Sequence, residues 1–234
     1  MNIALCYSGQ IRDFNKCFET HIKHIVEANK SCNFYIFIHS WSDKSLEGQS
    51  YFKDRVGRDR GFYRTENILD VMDVNPDSAL FEKPINFNSE ITPDPRFPHP
   101  MQNTLSMFYS IMMSDQIKNV FCSLRDIKID WSMRLRTDLF FHKDLKLEDY
   151  DNNKLYINDQ YVHTDYAVND LFSFSNDNNM IQYSQTFNRI NEMVKNGCAV
   201  NPECFLGYNL HASNPEAIQK TPLQNNYYKL FRDL

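Results

Sequence analysis

Glycine is scarce in this chain, with 6 residues among 234, and no tract is repetitive or dominated by one residue type. A collagen-like or low-complexity protein is therefore excluded. Hydrophobic residues make up 42% of the sequence and include 18 Phe and 13 Tyr, enough to bury a substantial core. We expect residues 1–234 to form a single ordered domain.

Cysteine pairs at metal-binding spacing are absent. The six cysteines stand at positions 6, 17, 32, 122, 198 and 204, without a C-x-x-C motif, which predicts reduced and mostly packed thiols. No run of 18 apolar residues indicates a transmembrane segment, and the first apolar run is too short for a signal peptide. We expect a cytoplasmic protein, with peripheral attachment to a membrane-bound assembly left open.

The net charge of −5 gives no reason to expect nucleic acid as a partner, because proteins that bind it usually carry a basic surface. An anionic ligand would therefore have to meet a local group of basic residues.

The first 40 residues have the pattern of a β-α-β unit. An apolar run over 2–7 predicts a buried strand that ends at Ser8-Gly9, and the spacing of Phe14, Phe18 and Ile22 predicts a helix. Strand-forming residues over 33–39 then predict a second, parallel strand. We therefore expect the chain to open an α/β fold.

The rest of the chain continues this alternation. A polar stretch near 42–64 predicts a mobile excursion with at most a short helix, of the kind that often covers a site. The other predicted elements are a helix over 65–73, a strand over 79–82, a helix from about Pro100, strands over 130–141, 154–158 and 170–175, helices over 180–194 and 202–212, and a tail over 225–234 that forms either a docking strand or an exposed aromatic segment.

The most informative segment is Trp131–Phe141, in which a predicted strand carries Arg134, Arg136 and Asp138 at a two-residue period. Two guanidiniums on one strand face can neutralise a diphosphate, and a carboxylate at the strand end can hold its divalent cation. The alternative is an internal network of ion pairs that uses the same residues.

A second candidate is the turn Ser8-Gly9-Gln10, followed by Arg12, between the first strand and the first helix. Ligands of open α/β sheets bind outside the carboxyl ends of the strands, and glycine permits close approach of the backbone. Because glycine is also common in turns for steric reasons, we weigh a binding role and a structural role about equally, and favour binding slightly because of Arg12.

Two acids are candidates for catalysis. Asp170 precedes a predicted strand, and Glu203 opens the last helix after Asn201-Pro202. Each could act as a base or bind acceptor hydroxyls, but Asp170 also suits an ordinary turn and Glu203 an ordinary first-turn acid. His39 follows an apolar strand and is more simply interpreted as a structural histidine.

The short segments 3–12, 37–41, 134–138, 169–174 and Pro202-Glu203, in this order, resemble a family of glycosyltransferase-like proteins from bacterial lipopolysaccharide and capsule loci and from phages. That family is similar to GT-A nucleotide-sugar transferases, which implies a Rossmann-like GT-A fold with a mixed, mostly parallel central sheet flanked by helices. It also implies a nucleotide-diphosphate sugar donor and often Mn²⁺ or Mg²⁺. The resemblance assigns Asp138 to the metal or diphosphate, and Asp170 and Glu203 to acceptor binding and general base.

The chain departs from the Asp-x-Asp motif of GT-A enzymes, because Thr137-Asp138-Leu139 offers one carboxylate where two are usual. We therefore expect Arg12, Arg134 or Arg136 to replace part of the metal's charge. The resemblance implies transfer of a sugar to a hydroxyl of a glycan or polysaccharide, with inversion or retention both compatible. The alternative is a noncatalytic nucleotide- or glycan-binding protein on the same fold.

Overall fold

The computed structural model describes residues 1–11, 14–43, 45, 47–53, 59–62, 71–92, 95, 100–159 and 164–231. The strands are β1 Asn2–Ser8, β2 Asn33–Trp41, β3 Ser50–Lys53, β4 Asp59–Phe62, β5 Ser78–Glu82, β6 Trp131–Leu135, β7 Leu139–Phe141, β8 Leu155–Asn158, β9 Ser173–Ser175, β10 Ile218–Thr221 and β11 Tyr228–Leu230. The main helices are α1 Phe14–His21, α2 Met101–Arg125, α3 Asp177–Ser184, α4 Thr186–Lys195 and α5 Pro202–Ser213, followed by the short, kinked α6 Leu223–Asn226.

Seven strands form a central sheet in the order β10-β8-β9-β6-β1-β2-β5. Strand β9 runs antiparallel to both β6 and β8, and the other neighbours pair in parallel. The predicted mixed, mostly parallel sheet flanked by helices is therefore confirmed. The carboxyl ends of β1, β2, β5, β6 and β8 meet the beginning of β9 at one edge of the sheet, which we call the carboxyl edge.

The predicted β-α-β unit is also confirmed. Strand β1 is buried along most of its length and pairs with β2 from Asn2 to Ser8. Helix α1 buries Phe14 and Cys17 against the sheet, then continues as a π-helical turn over Ile22–Val26. Apolar residues at helical spacing thus produced the expected helix, because one face of it is covered by the sheet.

The predicted strand over 130–141 is wrong in one important respect. Strand β6 ends at Leu135, the chain turns through Arg136–Asp138, and β7 pairs with β11 in a separate two-stranded sheet. The hydroxyl of Thr137 donates a hydrogen bond to the carbonyl of Gln10 at 2.6 Å, which holds this turn against the end of β1. Arg134 therefore lies in the strand, while Arg136 and Asp138 lie in the turn that follows it.

Two smaller differences concern other elements. The excursion near 42–64 contains an antiparallel hairpin, β3 with β4, where at most a helix was expected. The helix predicted over 180–194 is divided into α3 and α4 at Gln185. The tail forms the docking strand β11, which confirms one of the two alternatives predicted for it. Most of the predicted helix over 65–73 lies outside the described residues.

The six cysteines are free thiols, and five of them are buried, as expected. None of the helices in the described part of the chain combines the length and the apolar character that crossing a membrane requires.

Helix α5 lies unusually close to the loop that precedes β9. A Cβ atom built on Gly207 would lie 1.9 Å from the carbonyl oxygen of Tyr166. The backbone N–H of Val168 also donates to the carbonyl of Glu203 at 3.1 Å. Glycine at this position therefore allows the helix that carries Glu203 to contact the loop that leads to Asp170.

We expect Gly207→Ala to lower the free energy of unfolding by about 3 kcal/mol, because the methyl group must displace backbone and not a flexible side chain. Urea unfolding would measure the change. His211→Ala, at an exposed position of the same helix, should change stability by no more than about 0.5 kcal/mol. Equal stability of the two variants would contradict this close contact.

Candidate functional site

The carboxyl edge brings together the two segments that the sequence indicated as donor-binding. The turn at Ser8–Gln10 follows β1, the turn at Arg136–Asp138 follows β6, and the bond from Thr137 to Gln10 joins them. The predicted meeting of these segments at one rim is therefore confirmed. Arg12 lies outside the described residues.

Gly9 adopts φ +104°, a conformation that favours glycine. Among the described residues, apart from the two chain neighbours of Gly9, nothing lies within 4 Å of the position that a Cβ would occupy. Its N–H, however, already donates to the hydroxyl of Ser110 at 2.7 Å and to the carbonyl of His39 at 3.2 Å. Ser8 is buried, and its hydroxyl has no hydrogen-bond partner in the described part of the chain.

Arg136 and Asp138 form a two-pronged ion pair. Nε of Arg136 donates to one carboxylate oxygen at 2.8 Å and its Nη2 to the other at 2.7 Å. The side chain of Asp138 is 4% exposed and that of Arg136 is 19% exposed. For this pair the alternative interpretation, an internal ion pair, is confirmed.

This pairing does not fit the divalent cation that the resemblance implied at Asp138. A Mn²⁺ or Mg²⁺ ion binds oxygen ligands that compensate its charge, and the charge of Asp138 is already compensated by the guanidinium of Arg136, which bonds both of its oxygens and would repel the ion. Within the ranges described, no three His, Cys, Asp or Glu side chains gather as a metal site.

Arg134 lies deeper in the site. Its side chain is buried, and Nη1 donates to the carbonyl of Leu171, directly after Asp170. Burial lowers the pKa of Arg134, and the nearby Tyr183 and Asp170 oppose this shift. Its Nε has no hydrogen-bond partner among the described residues, although a cavity of about 10 Å³ beside it is large enough for one water molecule.

The two predicted catalytic acids are neighbours. Glu203 lies in the first turn of α5, where the side chain of Asn201 accepts a hydrogen bond from the Glu203 N–H at 3.0 Å and Pro202 occupies the first helical position. Asp170 reaches the same place from the loop before β9 and is buried. Glu203 is thus a first-turn acid, as the simpler interpretation held, and its carboxyl group lies near that of Asp170.

Burial and the Asp170 carboxylate raise the pKa of Glu203 to about 7. One of its carboxylate oxygens, Oε2, is buried without a hydrogen-bond partner in the described part of the chain. A carboxyl group that titrates near neutral pH is matched to taking up or releasing a proton during a reaction. The arrangement is a pair of carboxyl groups, Asp170 and Glu203, beside the buried guanidinium of Arg134.

Several residues of this edge were not recognised in the sequence. Tyr228, on β11, is fully buried near Arg134 and Asp170, and burial raises its pKa while Arg134 opposes this shift. Tyr183 and Ser110 approach from helices α3 and α2. Because helical periodicity marks such residues only as core, no local signal distinguishes them.

A scan against protein-family models and a search of curated proteins found no match to this chain. The resemblance noted in the sequence therefore remains an expectation, and the function has to be inferred from the geometry of the site.

Proposed function

We propose that this protein is a glycosyltransferase that moves a sugar from a nucleotide-diphosphate sugar to a hydroxyl of a glycan or polysaccharide. The observation that carries the proposal is the pairing of Glu203 with Asp170, next to the buried Arg134, at the carboxyl edge. This edge is where open α/β sheets bind their ligands. The free thiols support a reducing, cytoplasmic location.

The proposed reaction is a single displacement at the anomeric carbon. Glu203 accepts the proton of the acceptor hydroxyl while the acceptor oxygen forms its bond to the sugar. The bond from the anomeric carbon to the diphosphate breaks, and the diphosphate leaves with the electron pair. A displacement of this kind inverts the anomeric configuration, and the negative charge of Asp170 keeps Glu203 basic enough to accept the proton.

Charge on the leaving diphosphate requires a cation, and Arg136 is the exposed member of its ion pair. We propose that Arg136 exchanges part of its contact with Asp138 for phosphate oxygens, since a guanidinium binds carboxylate and phosphate with the same two-pronged geometry. Arg134 instead holds the Asp170 loop through the Leu171 carbonyl.

A GT-A type of Rossmann-like fold is part of the proposal. It is supported by the mostly parallel sheet, by the acid in the turn that follows β6, and by the position of this turn beside the end of β1.

The alternative is a noncatalytic protein that binds a nucleotide or a glycan on the same fold. The ion pair between Arg136 and Asp138 favours it, because the carboxylate that would serve a metal is already occupied.

The test is turnover of UDP-, GDP-, ADP- and dTDP-sugars with glycan acceptors, in Mn²⁺ and in EDTA, followed by the product mass. We expect one donor class to yield a product heavier by one sugar residue. Because Arg136 occupies Asp138, we expect turnover to persist in EDTA. Nucleotide binding without turnover in any combination would favour the noncatalytic alternative, and loss of all activity in EDTA would contradict the metal-independent site.

A further inference from the structure

Three side chains beside the Gly9 turn form a buried chain of hydrogen bonds. Nε2 of His39 lies 2.8 Å from a carboxylate oxygen of Glu82, and Nδ1 of His39 lies 2.8 Å from the hydroxyl of Ser110. That hydroxyl accepts the N–H of Gly9 at 2.7 Å. His39 and Ser110 have no exposed surface, whereas the side chain of Glu82 is 29% exposed.

The direction of these bonds follows from the charges. Burial lowers the pKa of His39, and Glu82 opposes this shift, so the imidazole is neutral at neutral pH. A carboxylate can only accept, which places the single ring proton on Nε2. Nδ1, at 2.8 Å, is a nearer acceptor for the proton of the Ser110 hydroxyl than the His39 carbonyl at 3.2 Å, and the oxygen of that hydroxyl is oriented to receive the Gly9 N–H.

The acid–histidine–serine order is that of a hydrolase triad, but the geometry excludes a nucleophilic serine. The Ser110 hydroxyl has no exposed surface, and its proton and its oxygen are both used within the protein. A nucleophile needs access to the reacting carbon. The same contacts suit a group that holds backbone in place.

Aromatic rings enclose this chain of hydrogen bonds. The rings of Trp41 and Tyr109 stack on each other with centroids 5.5 Å apart, and each makes a T-shaped contact with the imidazole of His39. The hydroxyl of Tyr109 also donates to Glu82 at 3.3 Å. The imidazole is thereby fixed in orientation as well as in protonation.

We propose that Glu82, His39 and Ser110 form a positioning relay that fixes the Gly9 turn in the conformation that receives the diphosphate of the donor. The proposal rests on the glycosyltransferase function proposed above and adds residues that do not touch the reacting atoms. The Ser110 hydroxyl accepts a hydrogen bond from the Gly9 N–H, and the Thr137 hydroxyl donates one to the Gln10 carbonyl, so two consecutive residues of the turn are fixed by hydrogen bonds.

The first test is independent of the donor. Hydrogen exchange of the Gly9 amide, followed by NMR, should become about tenfold faster in Ser110→Ala, since one internal hydrogen bond of ordinary strength is lost. Glu82→Ala should act in the same direction, and Glu82→Gln, which retains an oxygen for the imidazole N–H, should have a smaller effect. Unchanged exchange in both Ser110→Ala and Glu82→Ala would overturn the relay.

The matched control is Ser114→Ala. Ser114 is equally buried one helical turn further along α2, but its hydroxyl donates to the Ile111 carbonyl within the helix. It should leave Gly9 exchange and nucleotide affinity unchanged. If Ser114→Ala had an equal effect, the effect of Ser110→Ala would reflect only a lower stability of helix α2, and the proposal would be overturned.

The second test measures UDP, GDP and ADP affinity by calorimetry and the steady-state constants of the active donor. Ser110→Ala should raise the nucleotide Kd and the donor KM about tenfold while kcat changes little, a separation that partial unfolding would not produce. A lower kcat at unchanged KM and Kd would overturn the proposal, as would covalent labelling of Ser110 by a fluorophosphonate. Faster Gly9 exchange in a protein that binds none of these nucleotides would instead refute the proposed function and its diphosphate ligand.

Discussion

Replacing Glu203 by Gln should lower turnover by about 10²- to 10⁴-fold, the usual contribution of a general base. The substitution keeps the size of the side chain and removes only its ability to accept a proton. The donor KM should change little, because Glu203 acts on the acceptor. Steady-state kinetics with the active donor would measure both constants.

The pH dependence gives an independent check. A base must be ionised, so activity of the wild-type protein should rise as the pH increases through about 7, the pKa of Glu203. This rise should be absent from the residual activity of Glu203→Gln. Glu216→Gln, at an exposed position, is the matched control and should retain both the rate and the pH profile. A profile in Glu203→Gln that is identical to that of the wild type would contradict the assignment.

The raised pKa of Glu203 also predicts that Glu203→Gln stabilises the folded protein at high pH. Because folding raises the pKa of Glu203 from 4.5 to about 7, its contribution to stability is complete below about pH 4.5 and is lost as the pH rises through 7. Glutamine has no charge to bury, so we expect the variant to be more stable than the wild type at pH 8, by on the order of 1 kcal/mol given the partial exposure of this group. The difference should vanish near pH 4.5.

Replacing Lys118 by Met should lower the free energy of unfolding by about 3–5 kcal/mol. Lys118 is buried on α2 and binds Asp115 at 2.8 Å and also Asp177, the first residue of α3. Burial opposes its charge, but the two carboxylates outweigh this effect and raise its pKa. Methionine fills a similar volume, so the variant would leave a buried carboxylate without its cation.

Urea unfolding would measure this loss. Adding Asp115→Asn to Lys118→Met should recover part of it, because the uncompensated charge is then removed along with the cation. Because the hydroxyl of Ser184 donates a hydrogen bond to Asp115 at 2.9 Å, this carboxylate keeps one partner in Lys118→Met. We therefore expect the loss of unfolding free energy to lie near the lower end of the range. A loss below about 1 kcal/mol would show that the ion pairs contribute little.

The elements predicted best were those whose burial follows from local spacing. Phe14 and Phe18 recur on one face of α1, and the apolar residues of β1 and β2 are continuous because helices cover both faces of a parallel sheet. In each case the spacing of the apolar residues indicates which side of the element is buried. The β-α-β unit, helix α2 and helix α5 were predicted for this reason.

The end of β6 was mispredicted because the contact that ends this strand joins residues far apart in the sequence. Residues 131–141 alternate as one strand would, but the bond from Thr137 to Gln10 joins positions 127 residues apart and turns the chain. The ion pair of Arg136 with Asp138 lies within that turn.

The sequence by itself determined the α/β class, the parallel core and the candidate acids, since these follow from spacing and residue type. Only the tertiary structure decided that Asp170 and Glu203 are neighbours, that Arg136 occupies Asp138, and that Ser110 reaches Gly9. The reason is physical: the proton affinity of a carboxyl group is set by burial and by nearby charges, and those charges come from segments far apart in the chain.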